Sequence, residues 1–182
     1  KPTEIFTSDK YEIFTPRLTW DRTFVSIPEI FYFQEFILQS LIRQWLSYNT
    51  NLQSLFNSSN LNNLKSKDFE VLGEKALPEG HIDILIKDRI PTGYSRKIII
   101  EVKLGKARPQ DVVQLRNYME EMGEECLEGI LIARDFSRKI QKEVENKRIK
   151  CFIYSFGKIE KNKTYSLDEL KSSFQLLYFE GA

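Results

Sequence analysis

Residues 80–87 read "GHIDILIK" and residues 97–106 read "KIIIEVKLGK". In the second stretch Ile98, Ile100, Val102 and Leu104 fall on every other position, and Ile99, Glu101 and Lys103 fall between them. In the first, Ile82, Ile84 and Ile86 alternate with His81, Asp83 and Leu85. A period of two in β-branched residues predicts strands, whose successive side chains face opposite sides. The link "DRIPTGYS" carries Pro91 and Gly93 and reads as a turn, so the two strands are neighbours. That puts Asp83 beside Glu101 and Lys103 in segments otherwise fit for a core. A buried charge is costly unless it is paired or holds an ion. Two carboxylates on adjacent strands can share a divalent cation such as Mg²⁺, which takes oxygen ligands and keeps several waters. A lysine one step along can hold a water or stabilise charge developing on a phosphate. An ordinary cross-strand salt bridge on a solvated sheet face is the competing explanation.

Working outward, "ARPQDVVQLRNYMEEMG" (107–123) predicts a helix, with Pro109 and Asp111 in its first turn and Gly123 ending it. Val112, Leu115, Met119 and Met122 form its apolar stripe. Gln114 lies off that stripe, one turn before Tyr118, so both project from one side of the helix. "GILIA" (129–133) is wholly apolar, as a central buried strand is, and "KCFIYSF" (150–156) reads as another strand. Residues 68–76 form a strand before Asp83. A helix is expected over 136–149, and a last one over 166–179 with Ser166 and Glu169 as a capping box.

Upstream, "SIPEIFYFQEFILQSLIRQWL" (26–46) predicts one long helix. Ser26 and Glu29 would cap it, with Pro28 in its first turn and apolar residues almost all round. "YNTNLQSLFNSSNLNNLKSK" (48–67) is rich in Asn and Ser and reads as a loop with at most a helical turn. Residues 1–25 are expected to be an arm or small hairpin, with "KYEIFT" and "RTFVSI" as short strands, ahead of a domain spanning 26–182. The element order predicts an α/β fold: a mixed β-sheet, an antiparallel meander joined to parallel crossovers, flanked by helices.

Composition limits the alternatives. The chain has 182 residues, 41% of them hydrophobic, which suits one domain with a real core. A lone histidine argues against a His-based zinc site, and Cys126 and Cys151 lack metal or redox spacing. The absence of an apolar run of roughly 20 residues argues against a membrane partner. The opening "KPTEIFTSDK" has no signal-peptide pattern, which gives an expectation of a cytoplasmic protein. The net charge of +1 hides segregation: residues 117–128 carry five glutamates and no base, while residues 134–150 carry seven Lys or Arg against three acids. A basic face around Arg138, Lys139 and Lys142 could meet nucleic acid. The apolar, aromatic arm and the surplus apolar surface of the first helix suggest a homodimer.

The run "GHIDILI…IIIEVKLGKARPQDVVQLRNYM" resembles the catalytic core of the PD-(D/E)XK nuclease superfamily. Its Gln-x-x-x-Tyr element points to the RecB-like branch. Within that branch it is similar to the C-terminal nuclease domain of the NucS/EndoMS mismatch endonucleases, over roughly residues 70–156. The resemblance implies a restriction-endonuclease-like sheet and an Mg²⁺- or Mn²⁺-dependent endonuclease acting on duplex or branched DNA. It makes Asp83 and Glu101 metal ligands, Lys103 the catalytic lysine, and Gln114 and Tyr118 positioning groups. Family members often add a glutamate from the first helix, for which Glu35 is the candidate and Glu74 the competitor. His81 is a candidate DNA contact. The N-terminal part does not resemble the DNA-binding domain of those mismatch enzymes. A Holliday-junction-resolvase-like role, a RecB-like exonuclease role and a non-cleaving DNA-binding module therefore stand as alternatives.

Overall fold

In the computed structural model of this chain, residues 15–77, 80–144 and 148–180 are described, with all their side chains except those of Glu74, Lys75, Gln141 and Lys142. The alternating segments form strands Phe69–Leu77 (β3), Gly80–Asp88 (β4) and Lys97–Ala107 (β5), each antiparallel to the next. Helix Pro109–Met122 (α3) then crosses to strand Cys126–Phe136 (β6), which runs parallel to β5. Short helix Ile140–Val144 (α4) leads to Ile149–Ser155 (β7), parallel to β6. The sheet order is β3-β4-β5-β6-β7 with a sixth strand, Gln175–Tyr178 (β8), antiparallel at the far edge. The expected mixed sheet of meander and parallel crossovers is therefore present.

The two sheet faces bury separate apolar clusters. Ile84, Ile86, Ile98, Ile100 and Val102 pack with Leu38, Leu41 and Ile42 of helix Glu35–Leu46 (α1) on one face. Ile99, Leu85 and Ile82 pack with Val112, Leu115 and Met119 of α3 on the other. Each fully buried Leu, Ile or Phe contributes about 1.5–3 kcal/mol relative to exposure, so both faces anchor their helices firmly. The bidentate ion pair of Arg96 with Asp88 (2.7 Å) and the packing of Arg96 over the Phe69 ring fasten the β3–β4–β5 end remote from Asp83. Among the described residues no helix is long and apolar enough to cross a membrane.

Five local expectations differ. The helix expected over 136–149 is described only as Ile140–Val144, because β6 runs on to Phe136 and β7 already begins at Ile149. The 26–46 helix begins only at Glu35: Ile27–Glu29 form a turn, and Ile30–Tyr32 (β2) pairs in parallel with Arg17–Thr19 (β1). The "IFY" alternation prevails there, because pairing with β1 satisfies the backbone and delivers Phe33 to the core, where it stacks on Trp20 at 4.4 Å. The Asn/Ser-rich loop contains a full helix, Asn49–Ser58 (α2), whose Leu52, Leu55 and Phe56 at helical spacing are buried. "RTFVSI" is a 3₁₀ turn over Arg22–Phe24 rather than a strand, and "KYEIFT" lies almost wholly outside the described residues. The last helix stops at Ser173: Leu167–Ser173 (α5) carries the Ser166–Glu169 capping box, but the following residues complete the sheet as β8. The described part of the arm packs on its own chain, with Leu18 in the core and its backbone bonded to Tyr165 in both directions.

Candidate active site

The regular alternation of β4 fails at one residue. Ile82 and Leu85 enter the same cluster although they stand three positions apart, which regular alternation would put on opposite faces, and Ile84 and Ile86 enter the other. The expected shared face of Ile82, Ile84 and Ile86 is thus split at Asp83. Pairing of β4 to β5 also stops there, with Ile84 opposite Ile100 as the final partners. Asp83 fills the gap: its Oδ2 accepts a 2.8 Å hydrogen bond from the freed Val102 N–H. The charge thus sits where two strands part, and its carboxylate stands in for a lost ladder bond.

Glu101 is 1% exposed. Lys103 Nζ donates to its Oε1 at 2.7 Å, whereas Oε2 is buried with no hydrogen-bond partner. Burial pushes the Glu101 carboxyl up to about 7, helped by the neighbouring charge of Asp83 and opposed by Lys103. Burial likewise raises Asp83 to about 6, against the Val102 N–H, Lys103 and a hydrogen bond from Gln39. For Lys103, burial works to lower the amine, but the hydrogen bond and charge of Glu101, with Glu35 and Asp111, leave it raised and therefore cationic. Two crowded carboxylates, one with an unclaimed buried oxygen, fit a hard divalent cation and are costly without one. Among the described residues no group of three or more His, Cys, Asp or Glu forms a metal cluster. Asp83 and Glu101 are two candidate donors, a number that would suit a cation retaining several waters.

Glu35 joins them from α1. It is the first residue of that helix, where unpaired N–H groups favour a carboxylate. Its Oε2 accepts a 2.7 Å bond from Leu104 N. That N–H is available because β5 carries an extra residue between Lys103 and Lys106 relative to β6, a β-bulge. The Leu104 carbonyl accepts from the Tyr154 hydroxyl at 2.6 Å, so the bulge after Lys103 is held from both sides. Gln114 Nε2 donates to the Tyr118 hydroxyl at 3.0 Å. Tyr118 is buried and meets β4 at Gly80, where φ is +151° and an added Cβ would lie 2.3 Å from the hydroxyl. The glycine opening "GHID" is therefore required by tyrosine packing as well as by backbone conformation.

Residues 52–168 match the family model of the endonuclease NucS C-terminal domain. The chain belongs to that family. No curated protein matches it. Among solved structures, a repair endonuclease from Pyrococcus abyssi is 24% identical over 56% of this chain and 43% of its own, with a TM-score of 0.38. An EndoMS complex with double-stranded DNA is 26% identical over 54% of this chain and 42% of its own, with a TM-score of 0.33. The chain thus spans less than half the length of these structures.

In this NucS-family domain, Asp83, Glu101, Lys103 and Glu35 converge, while Gln114 and Tyr118 form a pair that buttresses the start of β4. His81 is exposed two residues from Asp83. Arg138 and Lys139 are exposed just before α4, and Ser137 N–H donates to Ala107 at the end of β5, so they lie beyond the same strand end as the bulge. The side chains of Lys142 and Glu74 fall outside the described ones. Sequence reasoning missed Tyr154 and Gln39. Gly105 inside a strand was the available signal for the bulge, and hence for groups that must hold it.

Proposed function

We propose that this domain is a divalent-cation-dependent DNA endonuclease that hydrolyses phosphodiester bonds in duplex or branched DNA. The observation that carries the reading is Glu101: a buried carboxylate with one oxygen on Lys103, the other unclaimed, and Asp83 close enough to raise it. Membership of the NucS C-terminal domain family supports the same reaction class.

Asp83 and Glu101 would hold Mg²⁺ or Mn²⁺, which would supply Lewis-acid polarisation of a phosphoryl oxygen and a more acidic water. Lys103, cationic and tied to Glu101, would orient the attacking water and balance charge growing on the phosphate. Glu35 would act as a positioning residue by fixing Leu104 and so the direction of Lys103. Gln114 and Tyr118 would keep the Gly80–Asp83 segment in place. His81, Arg138, Lys139 and Lys142 are proposed DNA contacts, and Lys and Arg contacts of this kind act through counterion release. Cleavage of two strands would use two copies of the chain; light scattering tests this, since a mass near 21.5 kDa would remove the dimer.

A cleavage panel tests the proposal: linear duplex, mismatched duplex, flap, four-way junction and single strand, each with Mg²⁺ or Mn²⁺. Cutting of at least one duplex or branched substrate is expected. Binding without cutting across the whole panel would leave a DNA-binding module instead.

A further inference from the structure

A cleft of about 390 Å³ opens beside Asp83 on the side away from Lys103's strand, lined by Phe36, Gln39, Ser40, Arg43, Gly73 and Asp83. Its wall is one side of α1: Phe36, Gln39, Ser40 and Arg43 recur at three- and four-residue steps. Gln39 lines this cleft together with Asp83 and favours the charged form of that carboxylate. Arg43 is exposed and forms none of the ion pairs among the described residues.

The guanidinium is nonetheless placed. It lies against β3 at Gly73, where an added Cβ would come within 2.8 Å of Nη1 and 3.1 Å of Cδ. The missing side chain of Gly73 provides the space that Arg43 occupies. The result is a planar five-donor fork, a hydroxyl and an amide along one wall of a cleft that ends on a proposed metal ligand. A planar cationic fork with flanking neutral donors suits a phosphodiester, which it can bind through two parallel N–H···O bonds. Phe36, 58% exposed at the same wall, offers a flat apolar surface to the sugar or base attached to that phosphate.

We propose that Arg43, with Ser40 and Gln39, seats a backbone phosphate of the DNA strand next to the one that is cut. The inference rests on the nuclease reading above, but its test does not depend on cutting. Binding of a labelled duplex to wild type, R43Q and R43K in EDTA, measured by anisotropy across a salt series, reads the contact directly. R43Q should weaken binding by roughly tenfold or more and lower the slope of log K against log[salt] by about one. R43K should restore the slope while recovering only part of the affinity, because ammonium lacks the fork. With Mg²⁺ or Mn²⁺, the R43Q loss should appear in KM while kcat stays within about twofold.

Unchanged affinity and slope in R43Q would overturn the seat, as would an absence of duplex binding by wild type. If inorganic phosphate bound wild type but not R43Q while duplex binding was equal, the cleft would serve a free anion and the DNA assignment would fall. The slope change without any cleavage by wild type would support the seat and remove the nuclease reading. Cleavage with no slope change would do the reverse.

Discussion

Replacing Glu101 with glutamine should stabilise the metal-free protein, and increasingly so as the pH rises from about 4.5 to about 7. Folding moves this carboxyl from 4.5 to about 7, first through burial and then through the charge of Asp83. The folded state therefore binds the proton more tightly than the unfolded chain across that interval. Stability falls as pH rises through it, and above it the deprotonated group costs about 3 kcal/mol. Asp83, raised to about 6 by burial, adds to the slope in the same direction. Glutamine cannot ionise, yet its amide oxygen can still accept the Lys103 bond now made by Oε1. Urea unfolding of wild type and E101Q in EDTA, at about pH 4 and about pH 8, measures the difference by linear extrapolation. The gap should shift toward E101Q by about 3 kcal/mol between those two values. Added Mg²⁺ should then raise the wild-type midpoint at the higher pH and leave the variant's unchanged, because only a bound cation contributes there. Parallel pH curves for the two proteins would refute the reasoning, since they would mean Glu101 does not pay a burial penalty for its charge.

Three other perturbations probe separate parts of the account. Glu35→Gln should reduce cleavage more than Glu74→Gln, because Glu35 fixes the Leu104 N–H and lies within electrostatic reach of Asp83 and Lys103; the opposite ranking in steady-state rates would move the third carboxylate. Gly80→Ala should cost about 2–4 kcal/mol from overpacking on Tyr118 and the positive φ, and Tyr118→Phe should recover part of it; additive losses in a double-mutant cycle would place the strain elsewhere. Neutralising Arg138 and Lys139 together should lower the salt slope of DNA binding by about two, and an unchanged slope would mean that this face does not meet the phosphates.

The site was legible in the sequence because its chemistry violates a simple pattern. Glu101 and Lys103 stand where the β period puts apolar side chains, and no surface reading explains a glutamate that is 1% exposed. The period also assigned the right strand to Asp83. It could not show that β4 parts from β5 there, since that depends on the Val102 N–H finding a side chain in place of a strand. The helix of 26–46 was over-extended because Ser26, Pro28 and Glu29 satisfy capping rules locally. The pairing of Ile30–Tyr32 with Arg17–Thr19 is a contact between segments and leaves no local signature. The result matters for Glu35, which moves from mid-helix to the first helical turn and gains the favourable helix end. The second helix was hidden by composition: its Asn and Ser residues are poor helix formers, and burial of Leu52, Leu55 and Phe56 overrides them. At the C-terminus a capped helix was expected to continue through 179, and the open edge of β7 captured Gln175–Tyr178 instead.

The most direct test of the central claim is conversion of closed circular duplex DNA by the purified wild-type chain and by K103A, with Mg²⁺, with Mn²⁺ and with EDTA. Circular DNA has no ends, so a product requires internal cutting. The account predicts nicked or linear product from wild type with either cation, none with EDTA, and at least a hundredfold slower cutting by K103A while its folded circular-dichroism spectrum is retained. Cutting that persists in EDTA, or near-wild-type cutting by folded K103A, would contradict it.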